Sequence, residues 1–202
     1  MENSHAYISL INQINGTGRL KLDGYNLKTL DEIFEWERDE IEDVICRNFS
    51  NNDIDLAIFL PKLKKHDGIS LLKRKLQELT IPSSGSVLIS QVLYETTKKE
   101  KYLDIIMQNI EESPDNISYV ASLAGCSPSE KAYSMLVHIY INNENEVIRS
   151  TAVTGILHNK GIIHNVDDLQ EITQNISLRR KFLSNDSKRR KRIIEMFEKG
   201  ML

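Results

Sequence analysis

Apolar residues along the chain recur mostly at intervals of three and four, which is the spacing of an amphipathic helix. Near the start, Tyr7, Leu10 and Ile14 follow this spacing and predict a short helix that ends near Gly16. Strict alternation of apolar and polar residues is nearly absent, which argues against a large β-sheet. The exception is residues 19–27, which predict a loop or a minimal hairpin. The pattern therefore predicts an all-α protein.

A second helix is predicted from Thr29 to about Phe49. It opens with Thr29-Leu30-Asp31-Glu32, a capping box whose Thr and Glu side chains can accept hydrogen bonds from the first N–H groups. One side of the helix is apolar and contains Leu30, Ile33, Phe34, Ile41, Val44 and Ile45. The opposite side is acidic and contains Asp31, Glu32, Glu35, Asp39, Glu42 and Asp43. Glu37 falls on the apolar side, so we expect it at the margin or beside a basic partner, because an unpaired buried carboxylate is costly.

From residue 53 onward the apolar pattern repeats. The helical spacing is shared by four sets: Ile69, Leu72 and Leu76; Leu103, Ile106 and Ile110; Leu136 and Ile139; and Leu169, Ile172 and Ile176. Their first members are 34, 33 and 33 residues apart. Each set is preceded by another helical segment, at residues 54–65, 86–98, 116–124 and 146–159, and Pro61 is expected to kink the first of these or delay its start. A fixed period in this range is typical of helix pairs stacked into a solenoid.

One repeat carries a family resemblance. Residues 146–157 resemble the first helix of a HEAT-like repeat through Ile148-Arg149, Ala152 and Ile156-Leu157. The resemblance covers residues 53–176 and implies a short right-handed α-solenoid of about four HEAT-like helix pairs, whose second helices line a curved surface. Because terminal repeats need polar outer faces, residues 1–50 are expected to form an N-terminal helical cap and residues 177–202 a basic C-terminal helix. The resemblance implies no particular function.

Length and composition agree with a folded protein. A chain of 202 residues suits a single helical domain over residues 1–202, and 40% hydrophobic with 27% charged residues excludes a largely disordered chain. No run approaches the roughly 18 apolar residues of a membrane span, and the first residues lack the basic flank and apolar core of a secretory signal. We therefore expect a cytoplasmic protein with no membrane contact.

Motifs for catalysis and for metal or cofactor binding are missing from the sequence. The five histidines include no pair four residues apart, residues 16–18 lack the Lys-Ser/Thr of a phosphate loop, and no Gly-x-Ser-x-Gly elbow is present. Cys46 and Cys126 have neither metal-type spacing nor the density of a disulfide scaffold, so we expect two reduced buried thiols. The expectation is a non-enzymatic protein with no catalytic residue, no metal and no cofactor.

Charge is concentrated in two places although the net charge is only −3. Residues 31–43 contain eight acidic side chains and one basic one, whereas residues 177–199 contain nine basic and three acidic ones. Either segment is explained by a solvated cap face or by a partner of opposite charge, since dense like charge speeds association and selects partners. Trp36 lies among the acids, where an indole resembles an interface anchor but also suits packing against the first helix.

Two functions are consistent with this pattern. The leading hypothesis is a protein that binds another, basic protein, and its most concrete form is an immunity or antitoxin-type inhibitor. The predicted binding residues are Asp31, Glu32, Glu35, Trp36, Asp39, Glu42 and Asp43. The alternative is a nucleic-acid-binding HEAT-like protein, with a DNA glycosylase-like enzyme as its nearest catalytic form. Its predicted contacts are Lys188, Arg189, Arg190, Lys191 and Arg192. The single tryptophan and the confinement of basic residues to one end make the alternative the weaker fit.

Overall fold

The computed structural model describes residues 2–16 and 24–202, and helix accounts for 71% of these. The described residues contain no strand, so the all-α prediction is confirmed for them. The predicted turn at residues 19–27 falls largely on residues 17–23, which lie outside the described residues. Backbone contacts group the chain into two compact units, residues 1–79 and 80–202, and this boundary cuts the predicted repeat region.

The first unit combines α-helices with 3-10 segments. Its α-helices are α1 (His5–Asn15), α2 (Arg38–Ser50) and α3 (Gly68–Glu78), and its 3-10 segments are Leu27–Asp31, Glu35–Glu37 and Ile54–Lys62. The segment Ile54–Lys62 contacts both α2 and α3, while α1 contacts Leu27–Asp31 and α2. The core of this unit therefore forms around Ile54–Lys62, whose Leu56, Phe59 and Leu60 are buried.

The helix predicted from Thr29 begins only at Arg38, so this prediction is wrong for residues 29–37. A continuous helix needs the Phe34 N–H to donate to the Leu30 carbonyl. Instead the Phe34 N–H donates to the Glu37 carboxylate at 3.0 Å, and the Leu30 carbonyl accepts from the Arg38 guanidinium at 2.7 Å. Because both backbone groups have side-chain partners, no α-helix starts at Thr29, which lies inside the 3-10 segment Leu27–Asp31.

The segment predicted as a helix over residues 54–65 is also shorter and tighter than expected. It is a 3-10 segment that ends at Lys62 and contains Pro61, and Leu63 is extended. Gly68 then begins α3 in close approach to this segment, since a Cβ there would lie 1.9 Å from the Leu60 carbonyl oxygen. Only glycine fits that contact without a backbone shift.

The second unit is built from helices in the order α4 (Ser84–Thr97), α5 (Lys101–Glu112), α6 (Ile117–Ala124), α7 (Glu130–Asn142), α8 (Glu146–Asn159), α9 (Leu169–Gln174), α10 (Ile176–Lys181) and α11 (Ser187–Glu198). Polar side chains cap most of their first turns; for example, the Ser83 and Ser129 hydroxyls accept N–H groups of α4 and α7. The predicted segments 86–98, 116–124 and 146–159 therefore match α4, α6 and α8 closely.

Contacts within the second unit follow two rows. Helix α6 contacts both α4 and α8, whereas α7 contacts both α5 and α11. Neighbouring helices along the chain also pack together, as α4 does with α5 and α7 with α8. Helices α6 and α8 approach closely at Gly155, where a Cβ would lie 2.8 Å from Ala124. Ala152, one turn earlier, is fully buried.

The last predicted repeat does not form a buried helix. The residues Leu169, Ile172 and Ile176 were expected on one helix, but α9 ends at Gln174 and α10 starts at Ile176. Leu169 is 77% exposed and Ile176 is also exposed. The row that these residues were expected to extend is instead continued by α11, which buries Ile193 and Ile194 beside α7.

Candidate functional site

The acidic residues predicted from one helix face come from three elements of the first unit. Asp31 ends a 3-10 segment, Glu35 and Trp36 lie in the next one, and Asp39 and Asp43 lie on α2. All of these are exposed except Asp43, which is half-buried, and Glu32 is exposed in the turn between the two 3-10 segments. The predicted set is therefore present at the surface with one exception, Glu42.

Glu42 is completely buried, so the expectation that it lies on the exposed acidic face is wrong. Its carboxylate accepts the Arg38 Nε–H at 2.8 Å, the Lys64 N–H at 2.9 Å and the Lys65 N–H at 2.8 Å. Burial raises the pKa of a carboxyl, but these hydrogen bonds outweigh burial and hold the pKa of Glu42 below its ordinary value. Glu42 thus joins α2 to the chain after Lys62.

Glu37 is buried, and no basic side chain among residues 2–16 and 24–202 forms an ion pair with it. Its carboxylate accepts the Ser4 N–H and the Ser4 hydroxyl at 2.7 Å each, and the Phe34 N–H at 3.0 Å. Burial raises the pKa of this carboxyl, and the hydrogen bonds from Ser4 outweigh burial so that the pKa is lowered. The short turn from Phe34 to Glu37 is therefore held in place by its own buried carboxylate.

This turn presents two large aromatic side chains to solvent. Phe34 is 51% exposed and Trp36 is 50% exposed, and their ring centroids are 6.2 Å apart. Phe34 was predicted on the buried side of a helix, and that prediction is wrong because the helix does not extend to it. In a helix, residues two apart point in different directions; the turn instead brings both rings together. We call Phe34 and Trp36 the aromatic pair.

Basic residues after the 3-10 segment Ile54–Lys62 neutralise part of the acidic charge. Ion pairs join Lys62 to Asp31 at 2.9 Å and Lys64 to Glu35 at 3.1 Å. Asp43 forms an ion pair with Lys65 and a hydrogen bond with the His66 ring. Three exposed carboxylates, Glu32, Asp39 and Glu40, have no ion-pair partner among the described residues. The net acidity near the aromatic pair is therefore smaller than the sequence suggested, but it persists.

The basic residues predicted as nucleic-acid contacts lie on α11. Lys188, Arg189, Lys191 and Arg192 are exposed, but Arg190 is completely buried, so the expectation that all five lie on an exposed basic face is wrong for Arg190. Its guanidinium donates to the Ile141 carbonyl at 2.8 Å and to the Glu144 carboxylate at 3.2 Å. Arg190 therefore anchors α11 to the last turn of α7, where helix carbonyls lack helical partners.

The exposed basic residues of α11 border a groove, which we call the basic groove. It has a volume of about 610 Å³. Its lining has four cations, one carboxylate and three apolar side chains: Lys181, Lys188, Arg189, Arg192, Asp186, Ile193, Met196 and Leu202. Within residues 24–202, none of Lys188, Arg189 and Arg192 has a carboxylate partner. The charge of this end is therefore available to an anionic partner.

Other kinds of site are not indicated in the part of the chain that the structure describes. No group of three or more His, Cys, Asp or Glu side chains is arranged to hold a metal ion there. No helix among those residues combines the length and the apolar character needed to cross a bilayer. The chain matches no protein-family model, no curated protein and no solved structure.

Proposed function

We propose that this protein is a non-enzymatic binding protein whose partner, another protein, contacts the aromatic pair and the acidic residues around it. The observation that carries the proposal is the pair itself, two neighbouring rings that are each half exposed on a turn fixed by the buried Glu37 carboxylate. Tryptophan and other large aromatics dominate the binding energy of many interfaces.

The way the turn is held supports a binding role. A buried carboxylate stabilises a turn only when it is fully hydrogen-bonded, and Glu37 accepts three hydrogen bonds from Ser4 and Phe34. The two rings are consequently presented by an ordered backbone, which lowers the entropy cost of binding. Partial exposure of such rings leaves apolar area that a partner can cover.

The chemistry of the partner follows from the surrounding charge. Glu32, Asp39 and Glu40 lie near the pair in sequence and lack cationic partners among residues 2–16 and 24–202. A partner that offers an apolar pocket with a lysine- or arginine-rich rim complements this surface. An inhibitor of the immunity or antitoxin type, which covers a basic surface of a toxin, is the most concrete version.

We further propose that residues 80–202 form a HEAT-like solenoid. The two rows α4–α6–α8 and α5–α7–α11 support this arrangement, as does the burial of Ala152 and Ile148 in the best-matching helix. In solenoids each repeat contacts only its neighbours, and the surface lined by one row serves as a binding face.

The test compares partners captured by variants of the tagged protein. Trp36→Ala and Phe34→Ala remove the pair, and Val147→Ala is the matched control because Val147 is a large exposed apolar side chain of the other unit. Each exposed substitution is expected to change stability by less than about 0.5 kcal/mol. We expect one partner to be retained by the wild type and by the control and lost by both aromatic variants.

Affinity measured with that purified partner should then fall at least about thirtyfold for Trp36→Ala, which corresponds to the roughly 2 kcal/mol of a hot-spot residue. Replacing Glu32 and Asp39 by Lys should chiefly slow association, and the effect should shrink as salt is raised. Retention of every captured partner by both aromatic variants would refute the proposed surface.

A second candidate function, nucleic-acid binding through α11, is favoured by one observation. Lys188, Arg189 and Arg192 line the basic groove without carboxylate partners among the described residues. If they bind phosphates, the affinity for DNA or RNA should fall steeply with salt. Gel-shift titrations at two salt concentrations should then show a loss for Arg189→Gln with Arg192→Gln, while Arg74→Gln, an exposed control on α3, leaves binding unchanged.

A further inference from the structure

A second concave site lies in residues 80–202, apart from the basic groove and the aromatic pair. It is a cleft of about 440 Å³ bordered by α8, α10 and residues 182–185. One side is apolar and includes Val153, Phe182 and Leu183. The other side carries Arg149, Arg179 and Arg180, and we call the whole site the arginine cleft. Its volume is within the range of small-molecule sites.

The arginine cleft carries an excess of positive charge. Its lining contains these three arginines and one carboxylate, Glu146, which amounts to a net charge of +2. None of the three arginines forms an ion pair with a described residue. Positive charge concentrated on a concave surface with apolar walls attracts anions more strongly than the same charge on an open face.

The hydrogen bonds of Arg149 use only neutral acceptors. Arg149 is only 5% exposed, and its guanidinium donates to the Glu144 carbonyl at 2.6 Å, the Asn143 carbonyl at 3.2 Å and the Asn185 side-chain oxygen at 2.9 Å. A buried guanidinium is normally paired with a carboxylate or another anion, since burial of an uncompensated charge is costly. Arg149 is therefore an incompletely compensated charge at the edge of a cavity.

Arg179, on α10, is half-buried and likewise forms no ion pair with a described residue. Its guanidinium donates to the Thr154 hydroxyl and, at 2.9 Å, to the Ser150 hydroxyl, both neutral groups of α8. Burial lowers the pKa of Arg179, because its charge is removed from water without a counter-charge. These hydroxyls also hold the guanidinium in position, so an anionic ligand can bind it without a change in its conformation.

Arg180 supplies free donors. It is exposed and lines the cleft, and its guanidinium makes no hydrogen bond or ion pair with a described residue. A guanidinium has five N–H groups, and its planar fork matches the oxygens of a phosphate in a bidentate contact. The cleft thus combines one free arginine, two positioned arginines and an apolar wall.

We propose that the arginine cleft binds a small organic phosphate monoester, whose phosphoryl group contacts Arg179 and Arg180 and whose apolar body lies against Val153, Phe182 and Leu183. A phosphate monoester carries about −1.5 to −2 charges at pH 7, which matches the excess positive charge of the lining. Arginine is the residue best suited to such an anion, because its fork and weak hydration favour a partly buried contact. Arg149 adds charge from beneath.

The binding experiment uses phenyl phosphate as the probe and isothermal titration calorimetry as the readout, with the full chain at pH 7.5 and low salt. Inorganic phosphate tests the contribution of the apolar body, and methyl phenyl phosphate tests the second negative charge. We expect both to bind at least about tenfold more weakly than phenyl phosphate, since each lacks one of the two complementary features. No binding of phenyl phosphate up to roughly 10 mM, which is weaker than any useful site, overturns the proposal.

Variants then locate the binding site. Arg180→Gln should weaken phenyl phosphate at least about tenfold, as loss of a charge-assisted contact predicts, while Arg74→Gln on α3 is the matched control and leaves binding unchanged. Arg180→Lys should restore part of the affinity, because charge returns without the fork. Leu183→Ala should weaken the binding of phenyl phosphate and leave the affinity for inorganic phosphate unchanged. Equal affinities of the wild type and Arg180→Gln for phenyl phosphate overturn the assignment. A phosphotyrosine peptide that binds much more tightly than phenyl phosphate also overturns it, because the site is then one for a phosphoprotein.

Discussion

The substitution Glu42→Gln tests whether an acidic residue that the sequence placed on a binding face is structural. The change preserves size and removes one negative charge from a fully buried position. In the native protein the two carboxylate oxygens accept from three donors, the Arg38 Nε–H and the N–H groups of Lys64 and Lys65. A glutamine can accept with only one of its two terminal atoms, so one donor must face the new amide N–H₂.

The magnitude follows from these contacts. Removing one partner of a buried ion pair costs about 3–5 kcal/mol, because the remaining charge stays buried. Glutamine keeps part of the hydrogen bonding, but it leaves one buried donor unsatisfied at about 1–3 kcal/mol. We therefore expect Glu42→Gln to lower the free energy of unfolding by about 2–4 kcal/mol. The matched control is Asp39→Asn on the same helix. Asp39 is exposed, so this change should alter the free energy of unfolding by less than about 0.5 kcal/mol.

Trp36 is the only tryptophan, so its fluorescence in urea follows the first unit, which contains Glu42. With a slope of about 2 kcal/mol/M, the midpoint of Glu42→Gln should fall by roughly 1–2 M while the Asp39→Asn midpoint stays unchanged. Equal midpoints for the two variants would show that Glu42 is not the buried, hydrogen-bonded group described above.

The same experiment has a pH dependence with a definite sign. The pKa of Glu42 is lowered in the folded protein, so its stabilising contribution is complete above the unfolded value of about 4.3. That contribution is lost as the pH falls through the lowered folded pKa. The difference in free energy of unfolding between the wild type and Glu42→Gln should therefore shrink in acid below about pH 4.3. A difference that stays constant from neutral pH to pH 2 would contradict this assignment.

Two further predictions concern Gly155 and the two cysteines. Gly155→Ala places a Cβ 2.8 Å from Ala124 and from Leu136, so overpacking of about 1–3 kcal/mol should exceed the gain of about 1 kcal/mol in helix propensity. Thermal unfolding followed by circular dichroism should show a lower midpoint, and an unchanged or higher one would contradict the close approach of α6 and α8. Burial raises the pKa of the Cys126 thiol to about 12, whereas Cys46 is only half-buried. A thiol reagent at pH 8 should therefore label Cys46 first in the native protein, as mass spectrometry of peptides can show; faster labelling of Cys126 would contradict its burial.

The exposed positions of the two charged segments were predictable from sequence, because dense like charge seldom packs into a core. Asp39 on α2 and Lys188 on α11 are exposed as expected. The buried exceptions are Glu37, Arg38, Glu42 and Arg190, and the last two contact backbone groups that lie far along the chain. The Glu42 carboxylate meets N–H groups 22 and 23 residues later, and the Arg190 guanidinium meets a carbonyl 49 residues earlier. No local sequence pattern predicts a contact between residues so far apart along the chain.

The sequence by itself determined the helices whose apolar positions keep a regular period and whose ends carry polar caps, notably α4 to α8. Helical periodicity and capping are local properties, so they can be interpreted before the chain is folded. Tertiary structure decided where α2 begins, because Arg38 and Glu37 bind the backbone groups that a longer helix needs. It also decided that Phe34 is exposed beside Trp36, and that Arg149, Arg179 and Arg180 line one cleft. These features depend on contacts between distant segments, which the free energy of the whole fold selects and no single segment specifies.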